Sequence, residues 1–121
     1  MIPDRNAEAK RQAAIVAYVR WTCPQVIIFA VPNGGLRTKA EAARLKWTGV
    51  LAGVYDLVLV LPRGRTAFWE TKTDRGRLSA DQQAFRDRLV LLGHQHAVVC
   101  SIDDARRELI RLGVETREAV A

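Results

Sequence analysis

The sequence has little besides packing to hold a fold together. Its only cysteines, Cys23 and Cys100, form no CxxC pair and belong to no Cys/His cluster. That pattern suits neither a disulfide framework nor a zinc site, and each is expected to be a small buried hydrophobe. No apolar stretch approaches the ~20 residues of a membrane-crossing helix; the longest runs from Val26 to Pro32. The opening MIPDRNAEAKR has no apolar segment of the kind a secretory leader requires, so none is expected. Internal repeats, low-complexity tracts and linkers are missing as well. The expectation is a soluble protein of a reducing, cytoplasmic compartment, with no membrane and no small-molecule cofactor as partner.

What is present is an ordinary globular composition with excess positive charge. The chain has 121 residues, enough for one domain (1–121) with a single modest core. Nineteen Lys and Arg against thirteen Asp and Glu give a net charge of +6. Most of these cations are Arg, whose guanidinium forks onto phosphate oxygens. A surplus of this kind favours a polyanionic partner through counterion release. Plain solubility is the alternative, so charge alone does not establish such a partner.

Periodicity and punctuation give the elements. Residues 5–20 predict a helix with Ile15, Val16 and Val19 on its apolar stripe, closed before Pro24. Residues 25–31 predict a strand, and Pro32-Asn33-Gly34-Gly35 a turn. A helix over 38–47 has Thr38 as N-cap and Gly49 just past its end. Strands follow at 55–61 and 65–72, joined by Pro62-Arg63-Gly64. Ser79 opens a helix over 80–92 that ends at Gly93. A strand at 95–100 and a helix at 103–112 complete the order α-β-α-β-β-α-β-α, an α/β domain with a mixed sheet flanked by helices.

The hairpin at 55–72 carries the chemistry. Its loop fits a type I turn at Pro62-Arg63 followed by a left-handed Gly64, which makes Leu61 oppose Arg65. Asp56 then stands across from Glu70, with Cβ atoms about 4.5–5.5 Å apart. Lys72, two residues beyond Glu70, shares its face among Val58, Val60 and Phe68. Two acids that close need a cation, and a hard divalent ion such as Mg2+ held by oxygen ligands is the natural one. Such an ion polarises a phosphate and activates water, Lys72 can orient that water, and the Thr71 carbonyl offers a further ligand. A Glu-x-Lys pair alone is common on solvated strands; the opposed Asp56 gives it meaning.

With these stretches in view the sequence resembles the virus-type replication-repair nuclease (VRR-NUC) family of the PD-(D/E)XK nuclease superfamily. The matching segments are PNGGLR at 32–37, AARLKWTGVLAGVYDLVLV at 42–60, FWETKT at 68–73 and RLSADQQAFRDRLVLLG at 77–93. One departure is Tyr55, where the superfamily name places Pro. The resemblance implies an Mg2+- or Mn2+-dependent DNA endonuclease acting on branched, Holliday-junction or flap-like DNA, working as a homodimer in a bacterium or phage-infected cell. It makes Asp56 and Glu70 metal ligands and Lys72 the catalytic amine. It also implies an acid on the first helix completing the metal site, for which Glu8, nearly in line with the apolar stripe, is the choice; a first-turn Glu favoured by the helix dipole is the alternative.

Gln82 matches the family glutamine after the Glu-x-Lys strand, and it is also the third residue of a capping box opened by Ser79. Asn33 and Arg37 match a motif near the site, although Asn33 equally suits a tight turn. Arg37, Lys39, Arg75 and Arg77 flank the expected catalytic edge as phosphate contacts. A competing reading is a catalytically inactive nucleic-acid-binding module on the same fold, for which opposed acids would have no use.

Overall fold

A computed structural model describes residues 5–32, 38–73 and 76–118. Helix α1 spans Arg5–Thr22, strand β1 Ile27–Ala30 and helix α2 Lys39–Trp47. Strand β2 covers Leu57–Leu61 and β3 Arg65–Thr71, followed by helix α3 at Ala80–Leu92. Strand β4 at Gln95–Val99 and helix α4 at Ile102–Arg111 close the described chain. The order is the one the periodicity predicts. No helix among the described residues is long and apolar enough to cross a membrane.

Short-range chemistry fixes the helix ends. The Ser79 hydroxyl accepts the Gln82 N–H while the Gln82 side chain accepts the Ser79 N–H, so the expected capping box is complete. Gly93 adopts φ 79° and closes α3 in the left-handed conformation. Thr38 caps α2 through the Glu41 N–H. Gly53, at φ 86°, sits so close to α3 that an added Cβ would lie 2.4 Å from the backbone of Asp81.

The four strands form one mixed sheet in the order β1-β2-β3-β4. The first two pairings are antiparallel, while β3 and β4 run parallel with α3 as their crossover. Leu61 pairs with Arg65 and Leu57 with Trp69, the register that a three-residue loop dictates. The loop itself differs from the expected type I turn. Arg63 takes φ 67° and ψ 31°, so the left-handed conformation begins one residue before Gly64. Arg65 ties the region down by donating to the carbonyls of Pro62 and Leu112.

One face of the sheet builds the core. Ile28, Leu57, Leu59, Leu61, Ala67, Trp69 and Val99 point toward Ile15 and Val19 of α1 and toward Ala105 and Leu109 of α4. Alternation along the strands then turns Val58, Val60, Phe68 and Glu70 to the opposite face. There Phe85 of α3 meets Phe68 edge-on and Tyr55 at a tilt, with centroids 5.6 and 5.5 Å away. Cys23 is buried as expected, whereas Cys100, at the exit of β4, is half-buried.

Candidate active site

Asp56 stands one residue ahead of β2, and the hairpin register carries it onto Glu70. The two are laced together: the Asp56 N–H donates to Glu70 Oε1 at 3.1 Å. In return the Thr71 N–H and hydroxyl both donate to Asp56 Oδ2, at 3.2 and 2.8 Å. Asp56 Oδ1 has no hydrogen-bond partner among the described residues.

Glu70 is an anomalous residue for this fold, a carboxyl only 3% exposed. Burial, and after it the negative charge of Asp56, push its carboxyl up to about 7. The Lys72 Nζ, 3.5 Å from Glu70 Oε2, pulls in the other direction without cancelling the rise. The Gln82 amide also donates to Oε2, at 2.9 Å. Gln82 thus does both things its position allows: Oε1 completes the helix cap and Nε2 reaches across to Glu70.

All of these groups except Gln82 line a cleft of about 660 Å³ between α1 and the adjoining ends of β1, β2 and β3. Asp56, Glu70, Thr71 and Lys72 form one wall, with Glu8, Gln12 and Arg20 opposite. Glu8 is exposed within this cleft. Among the described residues no three His, Cys, Asp or Glu side chains converge as a metal-holding group. Glu8 therefore faces the acidic pair without closing on it. The pair still fits a hard divalent cation: opposed carboxylate oxygens, one of them buried at a cost, with a lone oxygen free to ligate.

Other expected site residues fall elsewhere. Lys39 and Arg77 are exposed and do not line the cleft. Asn33, Arg37 and Arg75 lie outside the described residues, as does most of the turn expected from Pro32 to Gly35. Three cleft neighbours have no counterpart in the sequence reading. Arg11 donates to the carbonyls of Lys72 and Cys100, at 3.5 and 3.3 Å, tying α1 to the ends of β3 and β4. Gln12 reaches Thr71, and Arg20 donates to the Ile28 carbonyl at 3.1 Å. The available signal was the helical period, since Gln12 is four residues after Glu8 and extends the same stripe.

The mixed sheet with flanking helices, and acids opposed at the end of its central hairpin, define a mixed α/β domain with an acidic pair at its strand ends. No family model matches the sequence, and no curated protein matches it. Solved structures do. One titled "VRR_NUC domain protein" is 20% identical with a TM-score of 0.66, covering 86% of this chain and 85% of its own. Another, titled "VRR_NUC domain", is also 20% identical, with a TM-score of 0.59 and coverage of 86% and 94%. The chain has the VRR-NUC domain fold to which its motifs pointed.

Proposed function

We propose that this chain is a VRR-NUC nuclease, a divalent-metal-dependent enzyme that hydrolyses phosphodiester bonds in DNA. The observation that carries this reading is the buried Glu70 carboxyl, opposed to Asp56 and touched by both Lys72 and Gln82. A structural acid has little reason to be held in such a place, because burying a carboxyl costs free energy that the Lys72 contact offsets only in part. Sites that shift a carboxyl toward neutrality are characteristic of catalysis.

In this reading Asp56 and Glu70 hold Mg2+ or Mn2+, with the Thr71 carbonyl and Glu8 as further ligands. When bound, the cation supplies positive charge to the scissile phosphate and to the attacking water. Gln82 keeps Glu70 Oε2 in place from the α3 side. Lys72 stands at the mouth of the pair, where its ammonium orients the water and offsets charge on the phosphate. Lys39 and Arg77, with Asn33, Arg37 and Arg75, grip the DNA backbone, which suits the net charge of +6. Branched DNA is the preferred substrate, cut by a homodimer that brings two sites to two strands. Support for self-association comes from a second hollow of about 560 Å³ between α2 and α3, bordered by Leu45, Val50, Leu51 and Phe85. Trp47, 86% exposed, and Leu91, 85% exposed, lie on the same two helices.

The test is cleavage of labelled four-way junction, flap, duplex and single-stranded DNA with Mg2+, Mn2+ or EDTA, beside Glu70→Gln. Metal-dependent cutting that the variant lacks is the expected outcome. Tight binding without cutting under any metal would instead make the chain a binding module.

A further inference from the structure

We infer that Thr71 and Gln12 form a positioning relay that aims Asp56 at the metal, an inference that rests on the nuclease reading above. Thr71 lies between Glu70 and Lys72, so strand alternation turns its side chain away from theirs, toward α1. Its hydroxyl nevertheless reaches Asp56, because Asp56 sits just ahead of β2 and its carboxylate bends around the strand end. Oδ2 is gripped twice, by the N–H and the hydroxyl of this one residue, at 3.2 and 2.8 Å. Two donors from one residue fix both the position and the rotation of the carboxylate plane. Oδ1 is thereby left as the oxygen that ligates.

The hydroxyl has a second neighbour, Gln12 Oε1, at 3.4 Å. One hydroxyl proton cannot serve both acceptors, and the shorter contact to a charged oxygen wins it. The end of the Gln12 amide that faces Thr71 is an assignment of O against N, which the hydrogen-bond network decides. Turned over, Gln12 donates one amide N–H to Thr71 Oγ1 while the hydroxyl proton goes to Asp56 Oδ2, so the two contacts no longer compete for one proton. The relay is then polarised toward the carboxylate. It also couples α1 to the site by a group other than Glu8, since Gln12 is half-buried and lines the same cleft. The Thr71 hydroxyl and the Gln12 side chain touch no reacting atom; they act through Asp56.

Partners that orient ligating carboxylates typically contribute about 10–100-fold in metal affinity or activity. The experiment titrates Mn2+ into the full chain by electron paramagnetic resonance and follows junction cleavage across the same Mn2+ range. Thr71→Val keeps the β-branched shape that suits the strand while deleting the hydroxyl; Thr71→Ser keeps the hydroxyl. Gln12→Leu removes the outer member from a helix surface that tolerates it. Expected are Mn2+ binding about tenfold weaker for Thr71→Val, near-normal binding for Thr71→Ser and a smaller loss for Gln12→Leu. Cleavage by Thr71→Val should largely recover at saturating Mn2+, whereas a merely structural defect would lower the rate at every concentration. Wild-type Mn2+ affinity in Thr71→Val, with the wild type binding normally, overturns the relay and leaves the nuclease reading standing. If Thr71→Val fails to fold, unchanged affinity in Gln12→Leu overturns the Gln12 link. A wild type that neither binds Mn2+ nor cuts DNA overturns the metal site, and the relay with it.

Discussion

The two faces of the sheet are finished differently. On one, α1 and α4 seal Leu57, Leu59 and Trp69 to zero exposure. On the other, α3 covers Phe68 and reaches Glu70, while Ile27 and Phe29 stay 62% and 43% exposed. Helix α2 contributes no buried residue. Stability is concentrated on the sealed face, and the second face keeps surface for other uses. The acidic pair sits at the strand ends where the two meet: Gln82 holds Glu70 from the α3 side, and Gln12 reaches Asp56 through Thr71 from α1.

The largest expected effect separates chemistry from folding. Glu70→Gln should reduce cleavage by at least about a hundredfold to a thousandfold, and Asp56→Asn should do the same, with DNA binding retained. The folded state should meanwhile gain stability from Glu70→Gln in metal-free buffer, because a buried acid is replaced by a neutral isostere. Cleavage rates and urea midpoints on one preparation check both. Parallel loss of activity, binding and stability would make these residues structural.

The sealed and open faces should answer differently to truncation. Leu59→Ala is expected to cost about 2–5 kcal/mol, and Ile27→Thr about 0.5 kcal/mol or less. Equal costs would break the contrast, and a concentration-dependent cost for Ile27→Thr would show the open face covered by a second copy.

Stability should also depend on pH through Glu70. Its carboxyl titrates near 4.5 when unfolded and at about 7 when folded. Between those values the folded state binds the extra proton, so metal-free stability is fully present below pH 4.5 and declines as pH rises through 7. The loss should approach about 3 kcal/mol and be missing in Glu70→Gln, measured by urea unfolding with EDTA from pH 4.5 to 8. Added Mg2+ should stabilise increasingly at higher pH, since it competes with that proton. A profile shared by wild type and variant would remove Glu70 as the cause.

Legibility in the sequence tracked the range of the interaction. Ser79, Gln82, Gly93 and Thr38 could be read because caps are local chemistry, and the Asp56–Glu70 opposition followed from loop length alone. Strand limits were less readable. The strand expected over 55–61 begins at Leu57 because the Asp56 N–H bonds to the Glu70 side chain instead of a neighbouring strand. The strand expected over 25–31 narrows to Ile27–Ala30 at the sheet edge, where β2 alone among the described strands pairs with it. Arg63 enters the left-handed region that turn statistics reserve mainly for Gly, in a loop held by the contacts of Arg65. Arg11 gave no sign of its role, since it meets the carbonyls of Lys72 and Cys100 more than sixty residues away. For Gln12 the helical period from Glu8 was the one available cue, its partner Thr71 being about sixty residues distant.

Tyr55 gives the most local test of how the second face is packed. It is fully buried against Phe85, yet its hydroxyl has no hydrogen-bond partner among the described residues. Burial pushes the phenol up from its ordinary range, so the group is neutral and contributes polarity without a bond. Tyr55→Phe keeps the ring and removes the unpaired oxygen, which should stabilise the fold by about 1 kcal/mol. Cleavage should be unchanged, because Tyr55 adjoins Asp56 in the chain but does not line the cleft. A rise in the urea midpoint with normal activity would mark α3 as an imperfect cover beside the sealed α1/α4 face. A loss of stability would mean that the hydroxyl is bonded after all, and that this part of the second face is as fully satisfied as the first.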